Sequence, residues 1–491
     1  MRYWLLTTAL ALVLVNSAAT QGTKTTDTGK DPKTTAPKEP KEPKEVLGKS
    51  FEKWRADLKS TDPTKRENAM KAITGFGPNK SKLVLPDILA DLLRHKTQKV
   101  DLSVRVNGMM AISTILGGLQ SLKKEPDPKH LKSALAVYRM ALKDDQVIMR
   151  VRALQGLLYL GPIAREAIDD VLDLVHDPVT WEVRKEAIPV LMVLAQKEKA
   201  PVHPKAIPAL RKVLEDNSHQ VKYAAVVAIA TLGQDTVLAD LRKLVTDPSL
   251  QVRVTAVQYI GLVGKAKALP DLRKAMKDPT TQVRVMVVQV LPHAVGMAAL
   301  VDIRKALDDP SKDVRLTSLQ MITQFKEYLD DPINKKEKSI TVIMLNKRLD
   351  KEPDSIVNMW IHAAIMTITN VNKVHMDPII KRIHHKDVPV RLQALQIIAM
   401  GGKASKPIAL NAVLKAIHEK DMDLNVKVTA MQTLVPMRAH EAVPALQKIA
   451  DDKMAPQALR EAAEDVIDGL TVIHAQDSKK AKDDKKKPGK K

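Results

Sequence analysis

The sequence predicts an all-α solenoid, a superhelix of about twelve helical hairpins. One phrase recurs at a step of 31 residues: DPSLQVRVTAVQYIGLVG starts at Asp247, DPTTQVRVMVVQVLPHAVG at Asp278 and DPSKDVRLTSLQMITQF at Asp309. Only 18 residues are Gly and 3% are aromatic, which argues against a turn-rich β fold and predicts an aliphatic core. Since one hairpin cannot bury its apolar face alone, a stack of hairpins must share a continuous core.

The repeated phrase aligns on the residue that follows the valine of the motif, which we call the anchor. Successive anchors lie 31 to 45 residues apart, and only Asn358 among them is uncharged. A period of this length with helical patterning is typical of a two-helix repeat. The anchors are Arg66, Arg105, Arg150, Arg184, Lys222, Arg253, Arg284, Arg315, Asn358, Arg391, Lys427 and Arg460.

Each repeat contains signals for two helices and their ends. Asp247-Pro248 should end a first helix, with the aspartate available to cap the next one. In the second helix, apolar residues at 252, 256, 260 and 263 lie on one face. A glycine near the end of the pattern predicts the C-terminus of the second helix. Such glycines are Gly77, Gly161, Gly233, Gly264, Gly296 and Gly402.

The first 19 residues have the pattern of a secretory signal peptide. Arg2 precedes an apolar run from Tyr3 to Val15, and small residues lead to a predicted cleavage site after Ala19. The run of 13 residues is shorter than the roughly 20 that span a bilayer, although an uncleaved anchor is the alternative. The sequence therefore predicts a secreted or periplasmic protein, with no transmembrane segment after cleavage.

Two polar segments flank the repeats. Residues 20–46 are rich in Pro, Lys and Thr and lack Leu, Ile and aromatic residues, so they predict a disordered linker. Residues 476–491 form a Lys-rich stretch that predicts a disordered tail. The predicted solenoid therefore occupies residues 47–475.

The repeated phrase resembles the HEAT repeat, and most of all the short bacterial class also found in phycobilin lyase subunits. The motif DPxxxVRxxA carries the resemblance, most clearly at 177–187 and from 216 to 319, and the likeness covers 51–473. Two long steps between anchors predict loop insertions at Gly117–His130 and Lys326–Ser339. The resemblance implies that second helices line a concave surface. It implies little about function, because the fold serves scaffolds, carriers and a few enzymes.

The motif pairs an aspartate with each anchor in the most regular repeats. In HEAT-like proteins such pairs form a structural ladder of charge-assisted hydrogen bonds, within or between repeats, and the resemblance implies the same here. An active site would need one distinctive constellation rather than many copies. The predicted ladder residues are Asp247, Arg253, Asp278, Arg284, Asp309 and Arg315.

Two further rows of polar residues recur at fixed offsets. The first helices repeat an Arg-Lys pair, which predicts an anion-binding row or a solvated face: Arg211, Lys212, Arg242, Lys243, Arg273, Lys274, Arg304 and Lys305. Five residues after the anchor, glutamines predict a concave polar row able to hydrogen-bond an extended peptide or polymer, or again a solvated face. They are Gln155, Gln258, Gln289, Gln320, Gln396 and Gln432.

Composition narrows the possible functions. The chain has no cysteine, which excludes disulfides, thiolate metal sites and cysteine nucleophiles, and its formal net charge is +22. No catalytic, metal-binding or cofactor-binding motif is present, so we predict no such residues. We expect a non-catalytic scaffold that binds a protein, an extended peptide or an anionic envelope polymer. The alternatives are a lyase-like enzyme subunit with a site on the concave face and, disfavoured by the leader and scarce aromatics, a nucleic-acid-binding solenoid.

Overall fold

In the computed structural model, which describes residues 42–96, 100–196, 201–370 and 373–486, the chain is a series of α-helical hairpins preceded by a two-stranded antiparallel ribbon. The helices divide into two compact units, 1–264 and 265–491. Each unit is a stack of helical hairpins, as predicted for a solenoid. The leader at 1–19 and the predicted linker up to residue 41 lie outside the described residues.

The N-terminal unit contains the ribbon and thirteen α-helices among its described residues. They are β1 (Glu45–Val46), β2 (Lys49–Ser50), α1 (Phe51–Asp57), α2 (Pro63–Ile73), α3 (Pro78–Ser81), α4 (Leu85–Leu93), α5 (Leu102–Ser121), α6 (Pro128–Ala141), α7 (Val147–Leu157), α8 (Ile168–Leu174), α9 (Trp181–Ala195), α10 (Ala206–Val213), α11 (His219–Gly233), α12 (Leu238–Lys243) and α13 (Leu250–Gly264).

The C-terminal unit contains a further thirteen α-helices among its described residues. They are α14 (Leu269–Ala275), α15 (Thr281–Val295), α16 (Ala299–Lys305), α17 (Lys312–Gln324), α18 (Lys326–Asp330), α19 (Lys335–Leu349), α20 (Ser355–Thr369), α21 (Lys373–Lys381), α22 (Val388–Met400), α23 (Lys406–His418), α24 (Leu424–Met437), α25 (Val443–Asp451) and α26 (Gln457–Lys486).

Every predicted anchor lies in a second helix, near its N-terminus. Within each unit, consecutive second helices pack on one another and on the intervening first helices. Their shared contacts are aliphatic, as the scarcity of aromatic residues predicted, with Val226, Ile229 and Leu241 completely buried in one hairpin. Stacking therefore supplies the core that a single hairpin lacks.

The ribbon closes the N-terminal end of the first unit. Trp54 Nε1 donates a hydrogen bond to the Val46 carbonyl at 2.8 Å, and Lys49 Nζ lies 4.3 Å from the centre of the indole ring. Residues 45 and 46 were predicted to belong to the disordered linker, but they form β1. Sequence composition missed this strand because its contacts come from Trp54, several residues later in the chain.

At the other end, α26 continues to Lys486, beyond the predicted start of the tail at residue 476. Arg438 forms an ion pair with Asp477, which ties the helix to the preceding hairpin. Lysine and alanine are strong helix formers, so the backbone remains helical after the buried Leu470. Residues 487–491 lie outside the described part of the chain.

Both predicted loop insertions are largely helical. Gly117–His130 includes the end of α5 and the start of α6, and Lys326–Ser339 includes α18 and the start of α19. The long step between anchors in the second case reflects a first helix of 15 residues, α19, where the regular repeats have first helices of 6 to 8 residues. Asp330 stabilises this segment by pairing with both Lys326 and Lys338.

Several second helices are followed, directly or within a few residues, by a residue with positive φ, which is a glycine in some repeats and not in others. After α15 this residue is Gly296 (φ 57°, ψ −132°), and after α11 it is Gln234 (φ 48°, ψ −130°). The predicted glycine, Gly233, lies one residue earlier, where a Cβ would come within 2.2 Å of Val237 Cγ1. Close packing therefore fixes glycine at 233, and the strained conformation falls on Gln234.

This pair of sites predicts opposite effects of exchanging the two residue types. Gln234→Gly should raise the free energy of unfolding by about 1 kcal/mol, and Gly296→Gln should lower it by about the same amount. Nothing lies within 4 Å of a Cβ built at Gly296, so the effect there is one of backbone conformation rather than of collision. Urea unfolding followed by circular dichroism measures both. Destabilisation by Gln234→Gly would contradict the assignment of strain.

Candidate functional site

The anchors link each repeat to the next one. Arg284 donates from Nε and Nη2 to the two carboxylate oxygens of Asp309, one repeat further on, at 2.8 and 2.9 Å. Its Nη1 donates to the backbone carbonyl of Asp278 in its own repeat at 2.9 Å. The arginine therefore closes the turn before its own helix and also holds the following hairpin.

The aspartate likewise serves two purposes. Asp309 Oδ1 accepts from the backbone amide of Ser311 at 2.8 Å and so fixes the turn that leads into α17, while its carboxylate receives Arg284. The predicted partner inside the repeat, Arg315, instead donates to the Asp309 backbone carbonyl at 2.9 Å. Between repeats the ladder uses carboxylates, whereas within a repeat it uses backbone oxygens.

The same link recurs within the N-terminal unit. Arg184 binds both carboxylate oxygens of Asp216, at 2.6 and 3.0 Å, and Lys222 binds Asp247 at 2.6 Å. Arg253 donates to the Asp247 backbone carbonyl at 2.9 Å. Further ion pairs of the ladder are Arg66–Asp91, Arg105–Asp144 and Arg150–Asp177.

Towards the end of the C-terminal unit the ladder changes. Glu352 replaces the aspartate and receives Arg315 on both carboxylate oxygens at 2.8 Å. At the uncharged anchor the direction of the hydrogen bond is reversed: Asn358 is the acceptor, and its Oδ1 accepts from Arg382 at 2.8 Å. The next anchor, Arg391, contacts Met422 Sδ at 3.5 Å rather than a carboxylate.

Ionisation of the ladder contributes to stability. Burial acts to raise the pKa of Asp216, but hydrogen bonds from Arg184 and from the Ser218 amide outweigh it, and the pKa falls below its usual value. The pKa of Glu352 is lowered in the same way, with burial opposed by hydrogen bonds from Arg315 and Arg348. A carboxylate with a lowered pKa stabilises the fold above its unfolded pKa, near 4, and this contribution is lost as the pH falls through the folded value.

The Arg-Lys row of the first helices divides into two kinds of residue. Arg211 pairs with Asp240 at 2.9 Å, and Arg273 pairs with Asp302 at 2.9 Å, so these arginines join successive first helices. Arg304 is buried and pairs with Glu337 at 2.9 Å. Arg211, Arg242 and Arg273 are exposed, and so are the lysines of the row: Lys212, Lys243, Lys274 and Lys305. Arg211, Arg273 and Arg304 are thus engaged in intramolecular pairs, although Arg211 and Arg273 stay accessible beside the exposed lysines.

The glutamines of the second row lie on second helices, two of them in the N-terminal unit and four in the C-terminal unit. All are exposed except Gln155, which is half-buried and accepts from Arg152 at 3.0 Å. One turn before each glutamine, at the position after the anchor, is a half-buried aliphatic residue. These apolar–amide pairs are Val151/Gln155, Val254/Gln258, Val285/Gln289, Leu316/Gln320, Leu392/Gln396 and Val428/Gln432.

Several second helices carry few charges. In α11, α13 and α15 the anchor is the only Asp, Glu, Lys or Arg. Among the described residues, three helical stretches are even long and apolar enough to cross a membrane by length and composition, where we expected none: Leu102–Ser121, His219–Thr246 and Thr281–Asp308. Only 50 to 56% of the most apolar 18-residue segment of each stretch is buried. We give the name second-helix face to the partly exposed side of the second helices that carries the residue directly after the anchor, and we define it by the apolar–amide pairs.

Some features of this face were not anticipated from the sequence. Tyr223 and Tyr259 lie on the successive helices α11 and α13, both half-buried. Burial, and then the proximity of Tyr223, raises the pKa of Tyr259 to about 12. The residue directly after the anchor is Tyr223 in α11 and an aliphatic residue in the apolar–amide pairs, so this recurrence in the sequence could have predicted part of the face.

Within the described ranges, no group of three or more His, Asp or Glu side chains is arranged to hold a metal ion.

Comparison with known proteins agrees with this architecture. The family profile described as HEAT repeats matches residues 134–230 and 207–292. The structure of yeast importin-beta is similar, with a TM-score of 0.60 and 11% identity over 86% of this chain and 61% of that one. A crystal structure of importin beta obtained in ammonium sulfate gives a TM-score of 0.52 and 11% identity, over 86% and 61% of the two chains.

At such low identity these likenesses concern the fold alone. This chain spans less than two thirds of the length of the importin structures. Comparison with curated protein sequences gives no significant match. The predicted HEAT-repeat solenoid is confirmed, whereas the narrower resemblance to the class found in phycobilin lyase subunits stays a prediction.

The ladder predicts unequal costs for removing different anchors. Arg284→Ala should lower the free energy of unfolding by about 3 kcal/mol, because it leaves the buried Asp309 carboxylate without its bidentate partner. Arg391→Ala is the matched control, since that guanidinium contacts a thioether, and should cost less than half as much. Urea midpoints of the two variants, measured at pH 7, provide the comparison. Equal losses would show that the carboxylate link does not dominate the contribution of the anchor.

Proposed function

We propose that this HEAT-repeat protein is an exported, non-catalytic scaffold that binds an extended polypeptide along its second-helix face. The observation that carries the proposal is the recurrence of an apolar–amide pair, such as Val285/Gln289 and Leu316/Gln320, on the partly exposed side of successive second helices. A helix face that is only solvated is normally rich in charged residues, whereas α13, α15, α22 and α24 carry no Asp, Glu, Lys or Arg beyond the anchor.

The chemistry of the pair suits a polypeptide. A glutamine amide both donates and accepts hydrogen bonds, which matches the alternating N–H and C=O groups of a peptide backbone. The aliphatic residue one turn away offers apolar area to a peptide side chain. Packed helices lie about 8–10 Å apart, and an extended chain advances about 3.3 Å per residue. Successive pairs within a unit would therefore meet about every third residue of a bound peptide.

Repetition of one pair also favours a scaffold over an enzyme. A catalytic site requires unlike groups that converge on a reacting atom. The second-helix face instead repeats the same two residue types, as at Leu392/Gln396 and Val428/Gln432 in the C-terminal unit. The exposed lysines on the first helices are the rival surface, and an anionic polymer bound there is the alternative outcome of the test.

A photo-crosslinker at matched sites tests the proposal. Benzoylphenylalanine replaces Gln289 on α15 in one variant and Lys274 on the preceding helix α14 in the other, and each full-length protein is irradiated in an extract of the producing cells. We expect polypeptide adducts at least tenfold more abundant from position 289. Preferential labelling from position 274, or adducts that resist protease and contain polysaccharide or nucleic acid, would reject the peptide-binding face.

The export part of the proposal rests on the leader. We expect the mature protein to begin at Thr20 and to be recovered outside the cytoplasm, because small residues precede the predicted cleavage site. N-terminal sequencing of the protein from fractionated cells measures this. Ala19→Arg should block cleavage and leave a larger, membrane-associated form. Recovery of the unaltered protein in the cytoplasm with Met1 retained would contradict export.

A further inference from the structure

One junction between repeats of the C-terminal unit has titratable residues at positions that are apolar elsewhere. His362 in α20 lies four residues after the anchor Asn358 and is only 8% exposed. In the other second helices from α5 to α24 this position holds an aliphatic residue or methionine, no more than 1% exposed: Met109, Leu154, Ile188, Val226, Val257, Val288, Leu319, Leu395 and Met431.

Two more polar residues occupy apolar positions beside it. His375 in α21 lies 16 residues before the anchor Arg391, where four consecutive repeats bury Ala206, Val237, Ala268 and Ala299 completely. Arg382 lies nine residues before the same anchor, at the position of the buried Val213, Leu244, Ala275 and Ala306. A polar cluster thus replaces aliphatic packing where α20 meets α21.

The two histidines bind one another. Their Nδ1 atoms are 3.1 Å apart, so one ring donates a hydrogen bond and the other accepts it, which requires that the acceptor be neutral. The guanidinium of Arg382 donates to the Pro378 carbonyl at 2.9 Å and to Asn358 Oδ1 at 2.8 Å, and both acceptors are neutral. The arginine charge is therefore not cancelled by these acceptors.

Among the described residues, several charged groups on the neighbouring helices are engaged elsewhere, and Lys373, Asp377 and Lys381 of α21 are exposed. Arg315 of α17 and Arg348 of α19 both bind Glu352, and the anchor of α22 contacts Met422 Sδ. On α18, Lys326 pairs with Asp330. In the turn after α21, His384 lies 3.0 Å from Glu419. The groups that act electrostatically on His362 are His375 and Arg382, and both oppose its protonation.

We propose that the contact between α20 and α21 is an acid-sensitive seam, closed at neutral pH and opened when His362 and His375 take up protons. Protonation of the accepting ring removes the hydrogen bond between the histidines. It also places positive charges side by side in a largely apolar contact, next to the guanidinium of Arg382. No compensating carboxylate is among the groups that act on His362.

The direction of the pH dependence follows from the histidines. Burial, and then His375 and Arg382, lower the pKa of His362 to about 4, and burial also lowers the pKa of His375. An unfolded histidine has a pKa of about 6.5, so the open state binds more protons than the closed one between these values. The closed seam therefore has its full stability above about pH 6.5 and loses it as the pH falls towards 4.

Hydrogen–deuterium exchange of the full-length protein tests the seam. Exchange in peptides from 355–383, corrected for intrinsic rates, is compared at pH 7 and pH 5 with exchange in α15 of the same molecule. We expect opening of the seam to increase up to about tenfold per pH unit for each proton taken up, while α15 changes far less. In His362→Leu/His375→Ala, which restores the residue types of the other repeats, the extra acid dependence should vanish.

Further variants keep the test decisive. His362→Gln/His375→Gln retains polar side chains that do not titrate and should also lose the dependence, which covers the case in which the leucine variant repacks. His293→Gln, at an exposed site on α15, should behave like the parent protein. The proposal is overturned if the glutamine variant keeps the acid response, if the parent shows none, or if EDTA alone abolishes the response, since the histidines would then hold a metal ion.

Discussion

The guanidinium–carboxylate bond between successive repeats is the interaction on which the architecture depends. A hairpin with apolar residues on more than one side has no unique way to pack, because hydrophobic contacts are non-directional. The Arg284–Asp309 pair, with both oxygens bound and a third bond to the Asp278 carbonyl, has a single geometry. Since the same carboxylate starts the next second helix through the Ser311 amide, the link determines both where that helix begins and how it is placed.

This use of charge explains how a chain with a net charge of +22 can present a nearly uncharged surface. The charged anchors contribute their side chains to the ladder. Arginines of the first helices join neighbouring first helices: Arg211 pairs with Asp240, and Arg273 pairs with Asp302. Exposed charges of the first helices include Lys212, Lys243, Lys274 and Lys305. Side chains near Gln289 and Gln320 are free of electrostatic roles in holding the stack, and we attribute to them the role of contacting a partner.

The sequence was sufficient to predict the hairpins, because anchors at 31-residue steps and apolar residues at helical spacing are local patterns. It left open whether Arg284 binds within its repeat or across to the next, since both aspartates lie at suitable offsets and only stacking selects Asp309. It correctly placed the end of α11 at Gly233, but not the reason for that glycine, which is close contact with Val237. The long step between the anchors Arg315 and Asn358 predicted a loop insertion at Lys326–Ser339, although a longer first helix gives the same distance between anchors. The polar cluster around His362 became visible only once equivalent positions were superposed by the structure.

The junction between repeats that contains the polar cluster is also the one at which both ladder partners are replaced. The anchor is Asn358, and the next aspartate position holds His385, whose Nδ1 accepts from the Asp387 amide at 3.1 Å just as Asp309 accepts from Ser311. The turn before α22 is therefore preserved, whereas the ion pair between repeats is replaced at this junction by the uncharged Asn358 and by His385. At this seam, stability therefore depends on packing and on the neutral histidine pair. Its loss would begin below about pH 6.5, whereas the pKa values of ladder carboxylates such as Asp216 and Glu352 are lowered, so these groups lose their charge only at more acidic pH. Acid would separate one contact while the remaining links of the array still hold.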